Sequence, residues 1–164
     1  MRRLAFFAPL ALVAGLAASP ALAQSPQINV TVGGDLSREV RTLGQREVDR
    51  QIAQLTETVS RELEREGALQ GAQINLVLTD LKPNRPTIEQ ANAKPGLSII
   101  DSISIGGAAI EGEVVTADGQ RRPVRFSRYS TSLADVIGYG TWYDAERAYD
   151  RLASNLASGR LVSR

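Results

Sequence analysis

Residues Val48–Leu81 read VDRQIAQLTETVSRELEREGALQGAQINLVLTDL. Two periodicities meet in this stretch. Val48, Ile52, Leu55, Val59 and Leu63 recur at spacings of four and three, which puts them in one stripe along a helix. Arg46, Asp49, Arg50, Glu57, Arg61, Glu64 and Arg65 fill the other faces. Gly67 follows where helices take a left-handed residue to stop. From Ala72 the period falls to two: Ile74, Leu76 and Leu78 lie on one side, and Val77 and Leu81 add apolar character to the other. A strand apolar on both sides belongs inside a sheet. The stretch therefore predicts a long amphipathic helix delivered onto an interior strand.

The pattern extends in both directions. Leu36, Val40 and Leu43 continue the stripe upstream. The helix then either begins near Ser37 and runs through Gly44, or is capped by Thr42 with Gln45 as its capping-box partner. Gln27–Val32 alternates and ends at Gly33-Gly34, as a short strand does. Downstream, Lys82-Pro83 stops the interior strand, and residues 83–96 hold Pro83, Pro86 and Pro95, which predicts a loop. Alternation resumes at Leu97 with Ile99, Ile103 and Ile105. It changes parity after Gly106-Gly107 to Ala108, Ile110, Gly112 and Val114. A one-residue slip of this kind predicts a β-bulge at the glycine pair. Asp118-Gly119 predicts a hairpin turn, and Pro123–Ser130 the return strand. Thr141 with Asp144 three residues on predicts a capped final helix, in which Trp142, Ala145, Ala148, Tyr149, Leu152 and Leu156 share a face up to Gly159. The expected class is α+β: a two-layer sandwich, with an antiparallel or mixed sheet of about four strands and two helices on one face.

The N-terminus reads as a leader. Arg2 and Arg3 precede an apolar run from Leu4 to Ala18, and Ala21-Leu22-Ala23 offers the small-x-small pattern of a cleavage site. The run is short of the roughly 20 residues a membrane-spanning helix needs. The expected organisation is a signal peptide over residues 1–23, cut between Ala23 and Gln24, and a single α+β domain over 24–164. The expected location is periplasmic or secreted. The chain has no Cys, so no lipid can be attached through one after the leader, and no lipid anchor and no further transmembrane segment are expected.

Composition narrows the chemistry. There is no His and no Cys, which removes Ser-His-Asp catalysis, thiol catalysis and the common zinc ligand sets. No cofactor and no metal are expected. Without Arg2 and Arg3 the chain carries one more acidic than basic residue, so nothing in the charge calls for nucleic acid. The two glycine pairs lack the spacing of a phosphate-binding loop.

Four constellations remain. Glu111 and Glu113 would share a strand face about 7 Å apart, suited to acid–base work on a glycosidic bond or to a solvated sheet face. Arg121, Arg122, Arg125 and Arg128 could grip an anionic lipid or polymer, or protect an edge strand while paired with those glutamates. Phe126, Tyr129, Tyr139, Trp142, Tyr143 and Tyr149 crowd one region, with Trp142 and Tyr149 as core anchors and Tyr139 and Tyr143 as the exposed members. The proline-stiffened loop presents Asn84, Arg85, Thr87 and Lys94 as donors. The binding residues expected are Asn84, Arg85, Thr87, Lys94, Tyr139 and Tyr143; no catalytic residue is assigned.

The run Thr79–Thr87, the Pro95-Gly96-Leu97 step, Gly106-Gly107-Ala108 and Thr141-Trp142-Tyr143-Asp144-Ala145 resemble a group of small exported bacterial proteins of unknown function. The resemblance covers most of the chain after the leader. It implies residence in the periplasm or envelope and transfers no functional residue. The layout also resembles small envelope lipoprotein domains, from which this chain departs by lacking the lipidated Cys. The function expected is a non-catalytic binding or accessory module of the envelope, its partner an envelope protein or polymer. The alternatives are a hydrolase acting on envelope glycan through Glu111, Glu113 or Asp80, and a protein that binds anionic lipid or polymer.

Overall fold

Alternation makes Gln27–Val32 a strand (β1), and it pairs in parallel with the interior strand Gln73–Lys82 (β2). The computed structural model describes residues 24–163; the expected leader and its cleavage point lie outside them. Helices α1 (Leu36–Leu43) and α2 (Gln45–Glu66) form the crossover between the two strands. β2 pairs antiparallel with β3 (Gly107–Val115), and β3 with β4 (Arg121–Tyr129) around the expected Asp118-Gly119 turn. A two-residue strand, β5 (Val162–Ser163), adds to β4 in parallel. The sheet is mixed, in the order β1-β2-β3-β4-β5.

The helix stripe and the strand alternation bury the same layer. Leu55, Val59 and Leu63 of α2 pack against Ile74, Leu76 and Leu78 of β2, Ile110 and Val114 of β3 and Phe126 of β4 in one core. Helix α4 (Tyr143–Ala157) lies beside α2 on that face and contributes Ala148, Tyr149, Leu152 and Leu156. Trp142 anchors its start, where the indole Nε1 donates to Glu47 Oε2 at 3.0 Å. The opposite sheet face is open, with Asn29, Glu111, Arg121 and Arg125 exposed. This is the expected two-layer α+β sandwich.

Several details differ from the sequence reading. The long helix is split at Gly44, whose φ of 99° is outside helical space. Thr42 makes no cap, and a Cβ at Gly44 would fall 2.6 Å from a carboxylate oxygen of Glu89. Residues 83–96 are not all loop, since Ile88–Ala93 form a short helix (α3). A complete capping box starts it: Thr87 Oγ1 accepts from Gln90 N at 3.2 Å, and Gln90 Oε1 accepts from Thr87 N at 3.0 Å. The extra residue of the bulge lies in β2, between Leu78 and Asp80, not at Gly106-Gly107. The change from even-numbered Leu78 to odd-numbered Leu81 in the buried set records it. The strand expected from Leu97 begins only at Gly107. Pro83 has no N–H to extend the ladder, and the next N–H, of Asn84, turns to the carbonyl of Thr141 at 2.7 Å. Thr141 does not cap α4; Trp142 holds the N-cap position, and Asp144 turns inward.

Two phenols carry a pH signature. Tyr149 is buried, and burial, followed by the nearby Glu146 carboxylate, raises its pKa well above the usual phenol range. Tyr129 is raised by burial and then by its 2.6 Å hydrogen bond to Asp80. A raised folded pKa means that stability is complete below the unfolded value of about 10 and is lost as pH climbs past it. Two of the four tyrosines should therefore ionise only as the chain unfolds. Phenolate absorbance followed alongside circular dichroism tests this. Four phenols titrating before any loss of ellipticity would contradict it.

Candidate functional site

Where β2 leaves the sheet, β3 enters it and β4 leaves it, the connecting segments 83–106 and 130–142 come together at one end of the molecule. A buried polar latch joins them. Asn84 is fully buried. Its Nδ2 donates to Asp144 Oδ2 at 2.6 Å and to the Ser104 carbonyl at 3.3 Å, and its Oδ1 accepts from Asp144 N at 2.9 Å. Ser130 Oγ donates to the same Asp144 Oδ2 at 2.6 Å. Gly106 leaves the room, since a Cβ there would overlap the Asn84 amide. A buried carboxylate with two donors and a buried amide with every function used form a stable unit.

Arg85 extends the latch outward. Its Nε donates to the Tyr139 carbonyl at 2.7 Å, and its Nη1 donates to the Ile100 carbonyl. One guanidinium thus holds both segments. The side chains they present are apolar and wet: Ile100 is 74% exposed and Ile137 72%, with Ile99, Ile103, Ile105 and Leu133 also exposed. Ile103 and Ile105 also line, with Leu43, Leu81, Pro83 and Leu97, a cleft of about 310 Å³.

The six expected binding residues have separate fates. Asn84 and Thr87 face inward, one as the latch and one as a helix cap, so neither presents its side chain to a partner. Arg85 is half-buried and bonded to backbone. Tyr139 and Tyr143 do meet, with ring centroids 3.8 Å apart. Lys94 is exposed at the end of α3, with no described contact to the others. Sequence reasoning missed Asp144, Ser130 and Ser104. It also read Ile99, Ile103 and Ile105 as strand residues and singled out neither Ile100 nor Ile137. The signal for α3 was present in Thr87-Ile88-Glu89-Gln90, a capping-box pattern that the surrounding prolines obscured.

The carboxylates expected for hydrolysis are spread over the open face. Glu113 pairs with Arg121 at 2.7 Å and Glu111 with Arg125 at 3.3 Å. Asp80 accepts from Tyr129 and lies 3.6 Å from Lys82 Nζ. The register sets Asp80 opposite Ala109, with the glutamates further along β3. The hairpin arginines divide in the same way: Arg121 and Arg125 are neutralised across the hairpin, Arg122 donates to the Gly159 carbonyl, and Arg128 points to the helix side. Among the described residues, no helix is long and apolar enough to cross a membrane. No family model and no curated protein matches the chain.

Proposed function

We propose that this is an exported envelope protein acting as a non-catalytic binding or accessory module, and that its partner is another envelope protein. Export is supported by the basic Arg2-Arg3, the apolar run to Ala18, the Ala21-Leu22-Ala23 step and the resemblance to small exported bacterial proteins. The observation that carries the binding reading is the latched end: a fully bonded polar cluster holds two segments so that isoleucines stand in water. Exposed aliphatic residues gathered in one place mark interaction surfaces. Isoleucine offers no ring face for a sugar and no hydrogen bond, so the patch suits an apolar protein surface.

The test pairs cross-linking in living cells with two charge insertions. A photo-cross-linker at position 100 or 137 should capture one dominant envelope protein, whereas one at position 113 on the open sheet face should not. Ile100→Asp with Ile137→Asp should weaken that complex at least about tenfold and leave thermal stability within about 0.5 kcal/mol per site, as for surface changes generally. Equal capture from position 113, or a complex indifferent to both aspartates, would overturn the surface assignment. Recovery of the chain in the cytoplasm with its first residues intact would overturn export.

A further inference from the structure

Beyond this apical surface, we propose a second site: a cationic groove along the β4–α4 edge that binds an oxyanion carried on a sugar-like scaffold. Its residues come from elements distant in sequence. Arg128 lies on the helix-facing parity of β4, in register with Ala108, which cannot neutralise it. Arg147 and Arg151 stand one turn apart on α4. Two concavities, of about 330 and 420 Å³, both include Arg128 and Arg147, and so form one groove. Arg147 to Ser154 spans about 10 Å of helix at the usual rise.

Arg38, Arg50, Arg61, Arg65, Arg121 and Arg125 each have a carboxylate within 4.0 Å. The three guanidiniums sharing this groove have none among the described residues. The groove is marked by three such arginines sharing it: among the described residues Arg41, Arg46, Arg85, Arg122 and Arg160 also have no carboxylate within 4.0 Å, but none of them lines either concavity. Asp150 lines one concavity, between Arg147 and Arg151 in sequence, and Asp135 lines the other, so three guanidiniums share the groove with two carboxylates and leave it net positive. Like charges one helical turn apart repel, and an oxyanion between them relieves that repulsion with charge-assisted hydrogen bonds. The far end adds hydroxyls and rings. Thr131 and Tyr139 line it; Tyr143, which does not, backs the Tyr139 ring at 3.8 Å between centroids and lies under Arg147 at 5.7 Å. Ser130 and Tyr129 also line it, but their hydroxyls are already committed to Asp144 and Asp80. Guanidinium for the anion beside aromatic rings and hydroxyls for a ring scaffold defines the ligand class as an acidic sugar.

The purified chain would be titrated with a hexose phosphate, a hexuronate, the neutral hexose and inorganic phosphate, with the arginine Nε–H resonances as readout. The expected result is that one or both acidic sugars shift Arg128 and Arg147, and that the neutral hexose shifts neither. The two acidic probes distinguish phosphate from carboxylate. Arg147→Ala should weaken binding about tenfold, the worth of one charge-assisted hydrogen bond, while Arg121→Ala should leave it unchanged. Both positions are exposed, and an unchanged thermal midpoint would confirm that the variants fold. Inorganic phosphate binding as tightly as hexose phosphate would overturn the sugar half of the proposal. No shift with any anion, or full binding by Arg147→Ala, would overturn the site. Ser130, Thr131, Asp135 and Tyr139 belong to the latched segment 130–142, but no isoleucine lines the groove, so either failure leaves the isoleucine surface untouched.

Discussion

Asn84→Ala is expected to cost about 3–5 kcal/mol of stability, because it strips partners from two groups of the buried Asp144 and from one partly buried carbonyl at once. Asp144 Oδ2 loses one of its two donors, the Asp144 N–H loses its acceptor, and the Ser104 carbonyl loses its side-chain donor. Each loss at Asp144 leaves a desolvated polar group with nothing to replace water. The thermal midpoint should fall by on the order of 10 °C for a chain of this size. Asn84→Asp should be at least as damaging at neutral pH, since it sets a second carboxylate against Asp144. It should recover in acid, where protonation removes the like charge. Urea unfolding of both variants across a pH series makes the comparison. A loss under about 1 kcal/mol in Asn84→Ala, or no acid recovery in Asn84→Asp, would show that the two segments are held by something other than this amide. The residue reads as a surface donor in sequence, and the structure makes it a fastening.

Gly112→Ala is expected to have the larger effect, more than about 4 kcal/mol, with loss of soluble folded protein as the visible result. Gly112 lies in the middle strand of the sheet, between Leu76 of β2 and Val124 of β4. Its φ is 155°, and a Cβ would overlap the Asn75 carbonyl oxygen and come within 3.0 Å of the Leu76 Cα. Both obstacles are backbone, so no rotamer change relieves them. The ladder between β2 and β3 would have to part in the middle of its register. Gly140→Ala is the matched control: nothing lies within 4 Å of a Cβ built there, and its stability should stay within about 0.5 kcal/mol. Comparable losses in the two variants would mean that the close approach at Gly112 yields easily.

Much of the fold was legible because it rests on local period. The α2 stripe, the β1 and β2 alternation, the Asp118-Gly119 turn and the apolar face of α4 each follow from neighbours a few residues apart. Trp142 and Tyr149 were identified as anchors for the same reason. Errors arose where one local pattern served two conformations. Ile99, Ile103 and Ile105 alternate like a strand, yet Pro83 denies them a partner to pair with. The parity change at Gly106-Gly107 marks the start of β3, not a bulge; the change from Leu78 to Leu81 in β2 went unread, and the pairing shows that the extra residue is there.

The candidate sites divide along the same line. From the sequence alone came the class of fold, the helix and strand that build its core, the absence of His and Cys and the chemistry this removes. Those are properties of composition and of spacing along one chain. Tertiary structure decided what each polar residue does. It joined Asn84 to Asp144 across 60 residues and Tyr129 to Asp80 across 49. It neutralised Arg121 and Arg125 and left Arg128 beside the arginines of α4. A hydrogen bond or ion pair depends on which distant group arrives within about 3–4 Å, and no local period encodes that distance.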